Sequence, residues 1–439
     1  MSKADFSGRV RPDACPGALQ VHTAADGALA RVRLPGGAVS ATQLDELASC
    51  ADFLGSGVIE LTSRANVQVR GLRDPAAFAA RMAAIGLLPS ATHERVRNIV
   101  ASPVYGPSSV TDVQPLVTAL DLAIRARPRL AELPGRFLFA LDDGTGDVVG
   151  LGADVTLTWR APDDRAGGVG AGQVLLAGAD VGLAAEPGAR AVTLMVAAAE
   201  AFLDERAAQN SAAWRIRELT DGPTRLAARL APHATNPHAT DPTAAEAVGG
   251  VGAPGVRRQR DGRVALEVVV PLGRLSAAQA RALATAARTP DGEAPVRLTP
   301  WRTAIVPGLT PAQAAHQIEA LVAAGLVADP ASPWAGLTAC TGSPGCAKSL
   351  ADVQADAASW ATEQETARHA QEAAHAQEVE RVLPVHWVGC ERRCGRPGGR
   401  VVEVVATPEG YRVEVGGARR TTGDMKEAGA VVAAVRGGT

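Results

Sequence analysis

Apolar and polar positions alternate in two segments that lie far apart in the chain. DGALARVRLPGGAVSATQLDELA begins at Asp26, and DGRVALEVVVPLGRLSAAQARALA begins at Asp261. In both segments an alternating run leads through a Gly-containing turn to a Ser that precedes a helical pattern, which predicts a strand, a turn and a Ser-capped helix. Each copy then enters a second predicted strand, which ends in Gly-Leu at Leu72 and at Leu309.

The repetition extends beyond these segments. SVTDVQPLVTAL, from Ser109, resembles SLADVQADAASW, from Ser349. Two copies with one order of elements predict a pseudo-twofold α+β body made by duplication, and a chain of 439 residues is long enough for several cores. A ligand site is expected at the seam, because pockets often form between domains.

Composition and charge argue against nucleic acid and membranes as binding partners. Charged residues make up 21% of the chain and the formal net charge is -2, so no global charge favours nucleic acid or an anionic membrane. The opening MSKADFSGRVRPDACPG lacks the apolar core of a secretion signal, and the apolar stretch AVTLMVAAAEAFL is short and contains Glu200. We expect a cytoplasmic protein that binds neither nucleic acid nor membranes.

Four of the six cysteines form two close pairs. Cys340 and Cys346 lie in the Gly-rich loop ACTGSPGCAKS, and Cys390 and Cys394 lie in VHWVGCERRC. Two pairs on two loops can surround a 4Fe-4S cluster, with a helix N-terminus expected beside Cys346. Two alternatives remain open: four unrelated buried thiols, or a zinc site, although gaps of five and three residues fit zinc poorly.

Polar side chains alternate with small apolar ones in LTSRANVQVRG. The polar positions are Arg64, Asn66, Gln68 and Arg70. On one strand they would share a face, which would carry two fixed positive charges and suit a polycarboxylate. The alternative is a half-exposed edge strand with these side chains in water.

Two further arginines, Arg97 in ERVRNIVASP and Arg136 in LPGRFLF, favour the binding interpretation. Each alone would be read as a surface ion pair. Together with Arg64 they are the residues that we expect to be catalytic.

With the cysteine gaps, TSRANVQVRG and RNIVASP, nearly the whole chain resembles the sulfite/nitrite reductase superfamily. The resemblance implies ferredoxin-like half-domains and α/β domains that hold a tetrapyrrole beside a 4Fe-4S cluster, with Arg64 and Arg97 contacting its carboxylates or the substrate anion. The implied limits are a first half-domain at 10–75, an α/β domain at 90–228, a linker at 229–256, a second half-domain at 257–330 and the cluster-bearing α/β domain at 331–436.

One departure points to a branch of that superfamily. LPGRFLF aligns with a motif in which reductases place two lysines around a phenylalanine, but this chain has Arg136 and Leu138, and leucine cannot deliver a proton. This feature and the opening RPDACPGALQVHTAADG resemble the precorrin-3B synthases of aerobic cobalamin biosynthesis more closely. In that branch the tetrapyrrole polycarboxylate is the substrate: precorrin-3A would be hydroxylated at C20 with O2 and reducing equivalents, with closure of a γ-lactone.

The same resemblance implies a mononuclear non-haem iron, whose ligands the sequence does not identify. His386, His22 and His93 are candidates, and the alternative for His386 is a strand histidine that faces the interior. The chain has no recognisable flavin or nicotinamide fold, so electrons would come from an external donor, a ferredoxin or an NAD(P)H-dependent reductase. Arg392 and Arg393, between the last two cysteines, are expected to raise the cluster potential or to face substrate carboxylates.

Two other functions remain open. One is a siroheme-dependent sulfite or nitrite reductase. The other is a non-catalytic cluster-bearing electron-transfer or tetrapyrrole-binding protein.

Overall fold

The structure is a computed structural model, and it describes residues 13, 15–160, 171–186, 188–231, 254–290, 292–372 and 383–436. Most of the expected linker at 229–256 lies outside the described residues. Among the described helices, none combines the length and apolar character needed to cross a bilayer.

The first half of the chain supplies ten strands and five helices to the described structure. Its first part contains β1 (His22–Ala24), β2 (Gly27–Val32), β3 (Ala38–Val39), α1 (Ala41–Leu54), β4 (Val58–Leu61), β5 (Val67–Leu72) and α2 (Pro75–Ala84). Its second part contains β6 (Ile99–Ala101), α3 (Gln114–Arg125), β7 (Phe139–Leu141), β8 (Val155–Arg160), β9 (Ala171–Leu176), β10 (Ala179–Ala185), α4 (Ala189–Ala208) and α5 (Gly222–Leu230).

The second half repeats most of this order, with two additional short strands after its first helix and, among the described residues, one helix instead of two after its last strand. It begins with β11 (Gly255–Arg258), β12 (Val264–Val269), β13 (Arg274–Ser276), α6 (Ala277–Ala287), β14 (Arg288–Thr289), β15 (Gly292–Glu293), β16 (Val296–Leu298), β17 (Thr303–Leu309) and α7 (Pro311–Ala323). It continues with β18 (Leu337–Ala339), α8 (Val353–Glu372), β19 (Val385–Val388), β20 (Val402–Thr407), β21 (Gly410–Val415), β22 (Ala418–Thr422) and α9 (Met425–Arg436).

The two halves exchange a strand. The first sheet has the order β1-β2-β5-β4-β13, and its counterpart has the order β11-β12-β17-β16-β3, so β13 and β3 each complete the sheet of the other half. Both exchanged strands follow a short turn; at Gly37 in the first turn φ is 70° and a side chain would collide with the carbonyl of Leu298. The exchange brings side chains of both repeats onto one sheet face.

The predicted Ser caps are confirmed. Ser40 accepts a hydrogen bond from Gln43 N–H at 3.1 Å, and Ser276 accepts one from Gln279 N–H at the same distance of 3.1 Å. Each Gln side chain bonds back to the backbone of its Ser, so α1 and α6 both start with a capping box.

The two remaining five-stranded sheets share one topology. Their orders are β10-β9-β8-β7-β6 and β18-β19-β20-β21-β22. In each sheet the first three strands along the chain are parallel and the last two are antiparallel. Each sheet buries its own core, while one continuous core fills the space between the ferredoxin-like sheets and their helices. The expected pseudo-twofold α+β fold is confirmed.

The prediction that Arg64, Asn66, Gln68 and Arg70 lie on one strand is wrong for the first two residues. β4 ends at Leu61 and β5 begins at Val67, because the chain turns between them with Ala65 at φ 55°. Arg64 and Asn66 therefore lie in a hairpin turn. β16 and β17 make the same kind of hairpin in the second half.

Candidate functional site

The two cysteine loops meet at the ends of neighbouring parallel strands. Cys340 directly follows β18, and its N–H donates to the carbonyl of Trp387 at 2.9 Å. Gly389, which follows β19, donates its N–H to the Cys340 sulfur at 3.2 Å. Because carboxyl ends of parallel strands share one edge of a sheet, the loops converge.

The four thiols lie in partly accessible positions. Cys340, Cys346 and Cys390 are half-buried, and Cys394 is exposed. Burial raises the pKa of the Cys340 thiol, and negative charge on Cys394 and Cys390 raises it further, whereas N–H groups of the glycine loops lower it. Cys340 therefore lies within electrostatic reach of both cysteines of the second pair.

The expected helix N-terminus beside Cys346 is wrong. After Cys346 the chain makes a turn, in which Ser349 N–H donates to the Cys346 carbonyl at 3.0 Å. The helix α8 starts only at Val353, where Asp352 accepts a hydrogen bond from Ala355 N–H at 3.1 Å. Asp352 is the capping residue, so the helix begins there.

A polar row crosses the first sheet on the face opposite its core. In the strand register Arg31 faces Gln68, Gln68 faces Glu60 and Glu60 faces Arg274. Hydrogen bonds join the row: Arg31 to Gln68 at 3.0 Å, Gln68 to Glu60 at 2.6 Å and Arg274 to Glu60 at 3.2 Å. We call this row, with the adjacent Arg64, Arg70 and Arg302, the arginine face. Arg274 reaches it only because β13 is exchanged.

Arg70 connects the arginine face to the first cysteine loop. Its guanidinium donates to both carboxylate oxygens of Asp26 at 2.8 Å and to the carbonyl of Gly345 at 2.9 Å. Gly345 precedes Cys346 in sequence. Arg70 therefore holds the first cysteine loop against the sheet. Asp26 already compensates the charge of Arg70.

Several arginines of this region have no such partner. Among the described residues Arg31, Arg33, Arg64 and Arg302 make no ion pair with a carboxylate, and Arg31 Nε and Arg33 Nη1 are buried without a hydrogen-bond partner. Burial lowers the pKa of Arg33 to about 9, of Arg64 to about 10 and of Arg302 to about 10. Uncompensated buried cations are costly, and an anionic ligand would relieve that cost.

Sequence patterns alone did not single out Arg31, Arg33, Arg274 and Arg302. Arg31 and Arg33 alternate with apolar residues in RVRLP, which is the same signal as in the Arg64 segment and could have been used. Arg274 and Arg302 belong to the second repeat. Their place on this face follows from the strand exchange, which no local pattern reveals.

Arg64 of the arginine face contacts the segment that carries Arg136. Arg64 donates to the carbonyl of Gly135 at 3.2 Å. The neighbouring Arg136 is exposed and lies over the ring of Trp214 at 5.2 Å. Burial is the main cause that lowers the pKa of Arg31, and the positive charge of Arg136 lowers it further. The two side chains therefore share one electrostatic environment.

Two other expected site residues, Asn66 and Arg97, are buried and bond to other groups of the protein. Asn66 is buried, accepts from Leu34 N–H at 2.9 Å and donates to Asn98 at 3.2 Å. Arg97 makes a two-pronged pair with Asp121 at 2.6 and 3.0 Å. Together with Asp121, Arg97 lines a cavity of about 490 Å³ that also contains Arg297.

His386 has an interior structural position. It is fully buried and contacts Thr338 at 2.8 Å through Nδ1 and the Cys394 carbonyl at 3.1 Å through Nε2. Burial lowers the pKa of His386 to about 4, so the ring is neutral at physiological pH. Its contact holds the loop that carries Cys394.

Comparison with known proteins identifies the family. The profile of the nitrite/sulfite reductase ferredoxin-like half domain matches residues 22–80 and 257–324. A precorrin-3B synthase from Sinorhizobium sp. is 30% identical over 417 residues, which cover 93% of this chain and 84% of that protein. The chain belongs to the nitrite/sulfite reductase superfamily.

Other members of the superfamily agree. A ferredoxin–nitrite reductase from Synechococcus elongatus is 26% identical, with 84% of this chain and 74% of that protein covered. The structure of the NirA protein of Mycobacterium tuberculosis superposes with a TM-score of 0.75 at 20% identity, covering 93% of this chain and 80% of that chain, which supports the fold. The two sequence relatives, both oxidoreductases, support oxidoreductase chemistry in this superfamily member.

The sequence places Leu138 where the reductase motif has its second lysine, and in the structure this leucine belongs to a buried apolar cluster. Leu138 is buried in a cluster with Val100, Ala140, Val148 and Ala153, against which Trp301 packs. Its side chain can neither bind an anion nor donate a proton. Arg136 is thus the one cation of the LPGRFLF segment.

Arg393 also differs from expectation. It pairs with Glu403 at 3.0 Å and with Glu414 at 2.9 Å, and these bonds raise the pKa of Arg393. Because the two carboxylates compensate its charge, it contributes little positive potential to the cysteine loops. Arg392 is exposed.

Within the described ranges, one group brings three potential metal ligands within 4.8 Å of one another: Asp142, Asp143 and Asp147. It contains no histidine, so it does not match the 2-His-1-carboxylate set of non-haem iron oxygenases. Ser109 donates to Asp143, and Ser102 donates to Asp147 at 2.6 Å. The carboxylates are thus already hydrogen-bonded, and this group does not fit a mononuclear non-haem iron.

Proposed function

We propose that this protein is an iron-sulfur monooxygenase that converts precorrin-3A to precorrin-3B. The reaction is hydroxylation at C20 with O2 and reducing equivalents, together with closure of a γ-lactone. The observation that carries the proposal is the contact between Arg70 and Gly345, which joins the four-cysteine site to the arginine face. On that face Arg31, Arg64 and Arg302 make no ion pair with a carboxylate among the described residues.

The four cysteines Cys340, Cys346, Cys390 and Cys394 fit a 4Fe-4S cluster. Two loops present the thiols, and the Gly389 N–H already donates to one sulfur at 3.2 Å, as backbone amides do around such clusters. Among the described residues no three of these sulfurs lie within 4.8 Å of one another, whereas the thiolates of a single zinc ion would lie about 4 Å apart. When bound, the cluster supplies single electrons.

The arginine face would bind the tetrapyrrole carboxylates. Arg31, Arg64 and Arg302 gain a counter-ion when a carboxylate arrives, so their buried charge favours binding. Gln68 would orient Arg31 and Glu60 through its two hydrogen bonds in the polar row. Asn66 and Arg70 would act indirectly. Asn66 holds Leu34 and Asn98 in place, and Arg70 holds the first cysteine loop against the sheet. Arg97 could contact substrate only by exchanging Asp121 for a ligand carboxylate.

Leu138 supports a monooxygenase over a siroheme-dependent reductase. Reduction of sulfite or nitrite needs protons at each departing oxygen, and cationic side chains are suited to deliver them. Here one of the two motif positions that carry lysine in the reductases holds Leu138, which is buried in an apolar cluster. Arg136, near Arg31, would hold substrate charge at the rim.

Electrons would arrive from an external ferredoxin or NAD(P)H-dependent reductase. Cys394 is exposed, so one corner of the cluster site lies near the surface. Rapid reduction of the purified protein by NADH alone would contradict this part of the proposal.

Incubation with precorrin-3A, O2 and a reducing system tests the proposal. We expect a product heavier by one oxygen, and a visible spectrum of the purified protein with cluster absorption and without siroheme bands. Siroheme bands would instead support the reductase. Cluster absorption without turnover would support an electron-transfer or tetrapyrrole-binding protein.

A further inference from the structure

We propose that Glu60 is a built-in competitor for the substrate carboxylates, which shortens the residence time of the tetrapyrrole. The inference rests on the proposed function, because it assumes that a polycarboxylate tetrapyrrole binds the arginine face. Glu60 would oppose tetrapyrrole binding, so its replacement by a neutral residue should make binding tighter.

Glu60 lies at the centre of the polar row. It stands on β4, between Gln68 on β5 and Arg274 on the exchanged strand β13. The side chain is mostly buried, with the residue 8% exposed, and accepts hydrogen bonds from Gln68 at 2.6 Å and from Arg274 at 3.2 Å. Both bonds lie on the face that we assign to the ligand.

The charge of Glu60 acts on several arginines at once. It raises the pKa of Arg31, Arg70 and Arg302, in opposition to the effect of their burial. Arg70 also has Asp26 as a partner, but Arg31 and Arg302 have no paired carboxylate among the described residues. Glu60 thus partly compensates the charge of three arginines of this face, with Asp13 also contributing at Arg31 and Asp26 at Arg70.

A ligand carboxylate that reaches Arg274 or Arg31 must share these cations with Glu60. Because like charges in one buried site repel, the bound state is less stable than it would be beside a neutral side chain. When the ligand leaves, Glu60 again compensates the arginines. A tetrapyrrole that is substrate must leave as product, whereas a permanent cofactor has no such need.

The test uses the full-length protein with its cluster and the fluorescent octacarboxylate uroporphyrin III as the probe. Stopped-flow fluorescence gives its association and dissociation rates. For Glu60→Gln, which keeps the side-chain shape, we expect dissociation slower by about tenfold and association changed by less than about threefold. A disrupted fold would loosen binding, so slower dissociation cannot come from structural damage.

Two variants serve as controls. Glu60→Asp keeps the charge and should restore dissociation to near the wild-type rate. Glu267→Gln removes a buried glutamate from the other ferredoxin-like sheet, where it pairs with Arg257 at 2.9 Å and Thr303 at 2.7 Å. It should leave the dissociation rate unchanged.

The outcomes separate this inference from the proposed function. Wild-type protein that does not bind uroporphyrin III overturns both. Wild-type protein that binds it, while Glu60→Gln dissociates at the same rate or faster, overturns the role of Glu60 and leaves the proposed function standing.

Discussion

Ser102 and Cys340 occupy equivalent positions in the two repeats. Each directly follows the first strand of its α/β sheet, β6 or β18. Ser102 Oγ accepts a hydrogen bond from Asp143 N–H at 3.0 Å, and Cys340 Sγ accepts one from Gly389 N–H at 3.2 Å. One loop geometry thus presents a hydroxyl in the first repeat and a thiol in the second.

The equivalence extends to the next hydrogen bond. Val110 N–H donates to the Asp143 carbonyl at 2.7 Å, and Leu350 N–H donates to the Gly389 carbonyl at 2.9 Å. The cysteine site and the acidic group of Asp142, Asp143 and Asp147 are therefore counterparts. The two repeats therefore share a scaffold but present different side chains at these loops, hydroxyl and carboxylate groups in the first and thiols in the second.

Cys340→Ser should abolish the cluster. A hydroxyl binds iron far more weakly than a thiolate, and Cys340 is the half-buried member that accepts the Gly389 N–H. Iron and acid-labile sulfide analysis of anaerobically purified protein should show loss of both. Cys15→Ser is the matched control and should retain both. Equal iron and sulfide contents in the two variants would refute the assignment.

Arg31→Gln should weaken tetrapyrrole binding. The substitution removes a charged donor whose Nε is buried without a partner, and hydrogen bonds to charged groups contribute about 1.5–3 kcal/mol, so we expect an affinity loss of about 10-fold to 100-fold. Fluorescence titration with uroporphyrin III measures it. Arg288→Gln, which breaks an exposed pair with Asp45, is the control. Equal affinities for the two variants would remove Arg31 from the site.

Arg97→Ala should lower stability. Arg97 and Asp121 form a buried pair, and removal of one partner typically costs 3–5 kcal/mol; we expect about 3 kcal/mol because Arg125 also pairs with Asp121 at 3.2 Å. Urea unfolding gives the free energy of unfolding. The double variant with Asp121→Ala should lose less than the single one. Unchanged stability together with weaker uroporphyrin III binding would instead make Arg97 a substrate residue.

Asp147→Asn should flatten the pH dependence of stability. Burial, with Asp142 and Asp143 nearby, raises the pKa of Asp147 to about 7. Between the unfolded pKa of about 4 and this value, the folded state keeps a proton that the unfolded state has released, so stability falls as pH rises. Relative to Asp147→Asn, the wild type should lose about 3 kcal/mol between about pH 5 and about pH 8.

Urea unfolding at both pH values measures this difference. Asp112→Asn, on an exposed side of the neighbouring loop, serves as the control and should parallel the wild type. Parallel curves for Asp147→Asn and the wild type would show that Asp147 ionises normally in the folded protein.

The sequence by itself determined the duplication, the Ser caps and the four-cysteine pattern. These features are local: a capping box needs residues three positions apart, and a cysteine pair needs one loop. Residues such as Ser40 and Ser276 therefore revealed the elements that they begin. Arg64 and Arg70 were also visible as a pattern, whereas Arg31 and Arg33 of the same half were not singled out.

The tertiary structure alone decided which arginines have partners. Arg70 and Arg97 look as free in sequence as Arg64, but Asp26 and Asp121 reach them only through folding. Arg274 joins Glu60 because β13 crosses to the other sheet. Strand exchange and ion pairing join residues far apart in the chain, and local patterns of polarity carry no information about such distant pairs.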